Sequence, residues 1–192
     1  MNETPQPSVR DPFLRRIETV ALFRLSDAER AALVALPLQV AQFEPNQDII
    51  REGDRPSRSF TLLSGIACTY KSTRAGKRQV MSYHVPGDVP DFQSLFLEVL
   101  DINIATVSAC RLGFVQHDAV RAMLRAHPRL NEVFWRATLM DAALVREWML
   151  NTGRREAYAR MAHLFCELMT RLDDGGLAAV LGLAMGYATV FL

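Results

Sequence analysis

The stretch IIREGDRPSRSFTLLSGIACTYKS, residues 49–72, alternates short apolar runs with turn residues. The runs FTLLSG and IACTYKS contain β-branched and aromatic side chains, and both are shorter than a typical globular helix. EGDRP and Gly65, which border these runs, supply the Gly, Asp and Pro that tight turns require. The stretch therefore predicts short β-strands joined by tight turns.

The same pattern continues on both sides of this stretch. Turn residues EPNQD, EGDRP, RAGK and PGD separate short runs of β-like composition. The runs are LQVAQF (38–43), DII (48–50), SFTLLSG (59–65), IACTYKS (66–72), RQVMSYHV (78–85), ATVSA (105–109) and LGFV (112–115). Such even spacing predicts a small barrel or sandwich, and no internal repeat interrupts it.

Helical signals precede this β region. Ser26 and Glu29 form a capping-box pattern, which predicts a short helix over residues 28–36. In the segment before it, the apolar side chains that share one helical face are Phe13, Ile17, Val20 and Phe23. Residues 1–12 are predicted to be a disordered lead without the apolar run of a signal peptide.

Helical signals also follow the β region. Asp118 is predicted to cap a short helix over residues 119–127, and Pro128 to open a long helix that ends at Asn151. Asn151-Thr152-Gly153 is predicted to break the helix, and another helix follows to residue 172. The predicted packing face of that last helix is Ala157, Met161, Leu164, Phe165 and Leu168.

Composition limits the function classes. The chain has 192 residues, 22 basic and 21 acidic side chains and a net charge of +1, so its global charge points to neither nucleic acid nor membrane. Its three cysteines are far apart and odd in number, which favours a reducing cytoplasm over a disulfide framework. The sequence shows no metal-ligand spacing, phosphate loop or nucleophile with partners, so we expect neither an enzyme nor a cofactor.

Four segments, in this order, resemble the Crp/Fnr family of bacterial transcription regulators. They are IIREGD (49–54), FTLLSGIA (60–67), VPGD (85–88) and NTGRREAYARMAHLFCEL (151–168). The resemblance covers residues 15–172 and implies an α+β fold. It implies a cyclic-nucleotide-binding-like jelly roll with flanking helices at 13–127, a dimerisation helix at 128–151 and an incomplete helix-turn-helix domain at 152–192.

The resemblance implies a pocket for an effector after the PGD turn. Cyclic-nucleotide members hold the ligand there with a Gly-Glu pair and an Arg-Ser pair, because a buried phosphate needs a fixed cation. In this chain residues 87–110 contain no Arg or Lys but four acidic side chains, Asp88, Asp91, Glu98 and Asp101. The sequence therefore predicts an effector other than cyclic AMP or cyclic GMP.

The same alignment locates the pocket residues of this chain. It places Asp91-Phe92 at the Gly-Glu pair, Asn103-Ile104 at the Arg-Ser pair and Leu139-Met140 where the base is met. The predicted effector-pocket residues are Met81, Tyr83, Gly87, Asp88, Phe92, Phe96, Asn103, Leu139 and Met140. No cysteine cluster for iron–sulfur binding occurs, and His84 is expected to be a half-exposed strand residue rather than a haem ligand.

The long helix carries an apolar seam with spacings of three and four. Its residues, Leu130, Val133, Ala137, Met140, Leu144 and Trp148, suit either a second copy or the chain's own roll. The resemblance favours a cytoplasmic homodimer through this helix. The apolar surface is too wide for one narrow stripe, so part of it is expected to face the roll.

The segment after Arg171 contains no basic residue, and the last eighteen residues, from Gly175, carry no charge. Ala178 and Gly182 have helix-turn-helix spacing, which predicts a reading motif reached after a deletion and cut off inside its second helix. The positions expected to touch DNA are Ala184, Met185, Gly186, Thr189 and Val190. Only Thr189 among them can hydrogen-bond through its side chain, so the sequence predicts impaired DNA binding.

Three alternatives for the tail and the whole chain stay open. The chain could be a sensor and dimerisation module that pairs with a full-length relative and inactivates it. The Gly182-x-x-x-Gly186 spacing also fits a short membrane anchor, although the run is at the lower length limit for a span. A plain packing helix is the third possibility.

Overall fold

The computed structural model describes residues 12–172. The helices are α1 (Pro12–Val20), α2 (Asp27–Val34), α3 (His117–Ala126), α4 (Arg129–Arg154) and α5 (Ala157–Leu172). The strands are β1 (Gln39–Phe43), β2 (Asp48–Ile50), β3 (Arg58–Ser64), β4 (Ala67–Ser72), β5 (Arg78–His84), β6 (Asn103–Thr106) and β7 (Cys110–Gln116). A 3₁₀ turn at Phe92–Leu95 lies between β5 and β6.

The strands form two antiparallel sheets, ordered β1-β7-β3 and β2-β6-β4-β5. Leu62, Ile104 and Leu112 are fully buried in the core that these sheets share. The α+β jelly roll expected from the sequence is thus confirmed, and each predicted run contributes to a strand. The sixth strand begins at Asn103, two residues before the predicted run, and Gly65 (φ +92°) allows the turn between β3 and β4.

The flanking helices build a second core on the roll. Ser26 accepts a hydrogen bond from the Glu29 N–H and the Glu29 carboxylate accepts one from the Ser26 N–H, so the capping box is confirmed. Phe13, Ile17 and Val20 of α1 are buried against α3 and α4, as their spacing predicts. We call the part up to residue 128 the roll and residues 129–172 the helical arm.

Two predicted helix boundaries are wrong. Asp118 lies inside the first turn of α3 with a fully exposed side chain, and the N-cap residue is Gln116. The long helix continues through Gly153 to Arg154, because one glycine costs a helix only about 1 kcal/mol. Asn151, at the expected break, is instead fully buried inside the helix.

The last helix packs through a face that only partly coincides with the predicted one: Leu164 and Leu168 are half-buried, but Ala157 is exposed. Met161 and Phe165 are more than half exposed, whereas Glu167 is buried and His163 is half-buried. Glu167 accepts a hydrogen bond from the indole N–H of Trp148 on α4, so its burial is compensated by a polar contact. Within residues 12–172, no helix combines the length and apolarity needed to cross a membrane.

Candidate functional site

The turn at residues 85–88 anchors the segment that the sequence predicts as the effector cassette. Gly87 has φ +99° and donates its N–H to the Leu62 carbonyl at 2.8 Å. A Cβ at this position would lie 2.4 Å from the carbonyl oxygen of Pro12. Only glycine therefore allows α1 to approach the turn this closely.

Asp88 stabilises the turn instead of facing an open pocket. Its side chain is 5% exposed, accepts the Val85 N–H at 3.0 Å and pairs with Arg16 of α1 at 3.0 Å. The Asp88 carbonyl accepts hydrogen bonds from the N–H of Leu62 and the hydroxyl of Thr61. Asp88 thus ties the cassette to α1 and β3.

Asp91 is the most deeply buried acid of the cassette, with 0% exposure. One carboxylate oxygen, Oδ1, accepts the Phe60 N–H at 3.0 Å. Burial raises the pKa of Asp91 to about 7, since desolvation outweighs the hydrogen bonds from Phe60 and Ser94, which lower it. Close to neutral pH this carboxyl group is therefore divided between its charged and uncharged forms.

Two cations beside the cassette have acidic partners at its exposed surface. Arg55 pairs with Glu98 at 3.3 Å, and Lys71 pairs with Glu52 at 2.9 Å. Arg16 is held by Asp88 as described above. The Asn103 side chain accepts the Glu52 N–H and donates to the Tyr70 carbonyl, so it contributes no charge.

His84 is buried, which corrects the expectation of a half-exposed strand residue. Its Nε2 shares hydrogen bonds with Thr69 (2.7 Å) and Ser82 (3.2 Å), and its Nδ1 lies 4.0 Å from Asp88. This polar cluster occurs because both strand neighbours point hydroxyl groups to the same side of the sheet. Within residues 12–172 no group of three or more His, Cys, Asp or Glu side chains could hold a metal ion.

The predicted pocket residues do not converge on one cavity. Phe92 and Phe96 contact each other and, with Trp135 of α4, line a groove of about 400 Å³ between the 3₁₀ turn and α4. Met81 and Tyr83 are half-buried on β5, and Met140 belongs to the core of the flanking helices. Leu139 is 50% exposed on a different face of α4.

The long helix has two apolar faces. The predicted dimer seam faces the chain's own roll and neighbouring helices. Four of its residues are buried: Leu130, Val133, Met140 and Leu144. The other two, Ala137 and Trp148, are half-buried. Phe134, which lies beside the seam, stacks on Phe92 at a ring distance of 4.5 Å. The face left open carries Trp135, Leu139, Met149 and Leu150, each between 46% and 69% exposed. The sequence spacing of the apolar residues could not distinguish these two faces, because the residues of both faces recur with helical periodicity.

Trp148 connects the roll to both helices of the arm. Its ring lies 6.2 Å from Tyr83 of β5 and 5.4 Å from His163 of α5. Its N–H donates to the Glu167 carboxylate at 2.8 Å. Burial lowers the pKa of His163, and Glu167 opposes that effect. No pattern in the sequence indicated a role for Glu167, because an acid on an apolar helix is normally solvated.

The predicted DNA-contacting residues, Ala184, Met185, Gly186, Thr189 and Val190, lie outside the described residues. The same holds for the predicted lead up to residue 11 and for the residues that suggested a membrane anchor. Residue 12, the last one of the predicted lead, is the first residue of α1.

The roll matches a known domain family, and the chain is similar in sequence to several transcription regulators. Residues 40–127 match the family model of the cyclic nucleotide-binding domain. The chain is 24% identical over 136 residues to the transcriptional activator protein FnrA of Stutzerimonas stutzeri, covering 69% of this chain and 54% of FnrA. It is 31% identical over 144 residues to the nitrogen fixation regulation protein FixK of Rhizobium meliloti, covering 72% of this chain and 62% of FixK.

The chain thus spans somewhat more than half of the length of these curated relatives. Among solved structures, FixK2 from Bradyrhizobium japonicum superposes with a TM-score of 0.64 at 16% identity. The match covers 81% of this chain and 86% of FixK2. At that identity the likeness shows a shared fold.

Proposed function

Because this chain belongs to the Crp/Fnr family, with its cyclic nucleotide-binding domain at residues 40–127, we propose that it regulates transcription as a cytoplasmic homodimer. The roll senses a small-molecule effector other than a cyclic nucleotide, α4 pairs with a second copy, and the dimer acts at DNA. The observation that carries this proposal is the open apolar face of α4.

The open face has the composition of a helix interface. Trp135 is 65% exposed and Met149 is 69% exposed, on a helix whose opposite face is packed in a core. Soluble proteins seldom leave a row of several large apolar side chains uncovered on one helix face, and aromatic residues and Met are enriched where proteins associate. A second copy of α4 covers this row, since a two-fold axis brings the same face to itself.

The charges around the cassette support an effector other than a cyclic nucleotide. A cyclic phosphate needs an unpaired cation in its site. Residues 87–110 contribute no Arg or Lys to the cassette, and Arg55, Lys71 and Arg16 beside it pair with Glu98, Glu52 and Asp88. The cassette itself therefore offers a cyclic phosphate carboxylates and no cation.

A route from effector to arm is available through Trp148. Tyr83 belongs to the roll, and its ring contacts Trp148 on α4, which holds α5 through Glu167. A displacement of β5 would therefore move both helices of the arm. This contact couples ligand binding to the orientation of the C-terminal part.

Sedimentation of the full chain tests the dimer. We expect the wild type to be a dimer. Leu139→Glu is expected to raise the dissociation constant of the dimer at least about 30-fold, because a charge replaces an apolar side chain in the interface. The matched control is Leu22→Glu, the same change at a 77% exposed position outside α4. A monomeric wild type, or a dimer that withstands Leu139→Glu, contradicts the proposal.

Fluorescence anisotropy with random and palindromic duplexes, titrated with salt, tests the DNA part. Binding that prefers one palindrome and weakens steeply with salt supports a regulator that reads DNA. Negligible binding by a well-folded dimer contradicts that part and leaves the sensor and dimerisation module that pairs with a full-length relative.

A further inference from the structure

The open face of α4 contains one charged side chain among uncharged ones. Positions 135, 139, 142, 146, 149 and 153 recur at alternating spacings of four and three, which is the repeat of a helix that pairs along one seam. These positions, which we call the open seam, carry Trp135, Leu139, Ala142, Arg146, Met149 and Gly153. Arg146 is exposed and lies inside the open seam, one turn from Met149.

Arg146 forms no ion pair with any residue between 12 and 172. The positions one turn away on the same helix, where an acid could reach it, are Ala142, Ala143, Met149 and Leu150. The nearest acids along α4 do not reach it. Glu147 pairs with Arg155 at 2.6 Å, and Asp141, five residues away, lies on a different face of the helix. The guanidinium group of Arg146 is therefore available to a partner outside the chain.

The dimer of the proposed function, on which this inference rests, brings two Arg146 side chains together. In a parallel pair of α4 helices each seam residue meets its own copy across the two-fold axis. The residues that surround Arg146 in the seam and beside it are apolar in both copies: Ala142, Ala143, Val145, Met149 and Leu150. Two guanidinium groups in such surroundings repel each other and lose hydration, and both effects are costly unless an anion joins them.

We propose that the two Arg146 side chains of the dimer bind one dianionic phosphate group on the two-fold axis. The two guanidinium groups balance its charge and donate paired N–H groups to its oxygens. Long side chains of a helix point towards its N-terminus, so each Arg146 extends over the turn that carries Ala142 and Ala143. These methyl groups leave room for the anion between the helices. Each copy supplies half of the site, which therefore exists only in the dimer.

Sedimentation of the full chain in phosphate and in chloride, at equal ionic strength, tests the proposal. The measurement is made at about pH 8, where phosphate carries close to its full double charge. An anion that binds only the dimer lowers the dissociation constant of the dimer, and we expect phosphate to lower it at least about tenfold relative to chloride. A dimer with equal dissociation constants in both salts overturns the anion site and leaves the proposed dimer intact. A monomer in both salts overturns the two proposals together.

Variants locate the site. Arg146→Met keeps an unbranched apolar side chain and removes the guanidinium group. We expect this variant to dimerise more tightly than the wild type in chloride, because the repulsion is gone, and to show no difference between phosphate and chloride. Arg125→Met makes the same change at an exposed position on α3 and is expected to keep the wild-type response. A phosphate response that persists in Arg146→Met places the anion elsewhere and overturns the assignment.

Free phosphate and the phosphate group of a larger molecule offer the same chemistry to Arg146. Glycerol 3-phosphate, which has the same charge and an added polar body, distinguishes them in the same measurement. A response equal to that of inorganic phosphate identifies a site that admits a phosphate ester. A weaker response identifies the free anion as the ligand, because the apolar side chains around the axis then exclude the added body.

Discussion

The roll and the helical arm differ in how they use apolar side chains. In the roll, Leu62 and Leu112 are fully buried between two sheets of the same chain. In the arm, Trp135, Met149 and Tyr158 are 65%, 69% and 86% exposed. The roll is therefore stabilised by apolar contacts within the chain itself. Much of the apolar surface of the arm, in contrast, can be buried only by contact with a partner molecule.

The largest expected effect is on the roll. Leu62→Ala removes a fully buried side chain and is expected to lower the free energy of unfolding by about 2–5 kcal/mol, from lost burial and the cavity left behind. Leu139→Ala, the same change in the arm at 50% exposure, is expected to cost the single chain under about 1 kcal/mol. Urea unfolding at low protein concentration measures the free energy of unfolding of both variants. Equal decreases would contradict the difference between the two regions.

The roll is also expected to carry a pH-dependent stability. Unfolded Asp91 ionises near 3.8 and folded Asp91 near 7, so the unfolded state releases its proton first. The free energy of unfolding contributed by this group is therefore highest below pH 3.8 and decreases as the pH rises through about 7. Asp91→Asn cannot ionise and does not show this decrease.

We expect the stability of Asp91→Asn, relative to wild type, to rise by on the order of 2–3 kcal/mol from about pH 5 to pH 8. Taking the difference between the two proteins removes the contributions of the other titrating groups. Urea unfolding of both proteins across that range provides the measurement. A difference that stays constant with pH would mean that Asp91 is ionised throughout.

The smallest of these effects concerns the junction between roll and arm. Trp148→Phe keeps an aromatic ring beside Tyr83 but removes the N–H that Glu167 accepts, at an expected cost of about 1–2 kcal/mol. Trp135→Phe, on the exposed face of the same helix, is expected to change stability by less than about 0.5 kcal/mol. Thermal unfolding of dilute protein compares the stabilities of the two variants. A Trp148→Phe variant as stable as the wild type would show that the junction contributes little to stability.

Local signals in the sequence predicted most elements of the fold. Short β-like runs between turn residues predicted the strands, and the Ser26–Glu29 pattern predicted a cap that the structure contains. Local rules failed at Gly153, where the helix continues because one glycine costs it only about 1 kcal/mol. They succeeded only in part on α5, where Glu167 is buried against Trp148 while the predicted Met161 and Phe165 are exposed.

The candidate sites were less predictable, because they depend on partners distant in sequence. Asp88 was expected near an effector, but Arg16 of α1 holds it in the turn. Asp91 was expected to repel a phosphate, and no neighbouring residue in the sequence indicated that it would be fully buried. Burial depends on how the cassette folds over β3, which no local pattern encodes.

By itself the sequence determined the α+β roll, the order of its helices and the lack of an unpaired cation in the cassette segment. These follow from periodicity, turn chemistry and side-chain charge, which act over a few residues. Only the tertiary structure decided which apolar face of α4 faces the roll, and that Asp91 is fully buried. Both depend on contacts between residues far apart in the chain, since a helix with two apolar faces packs through the one that fits the surface presented to it.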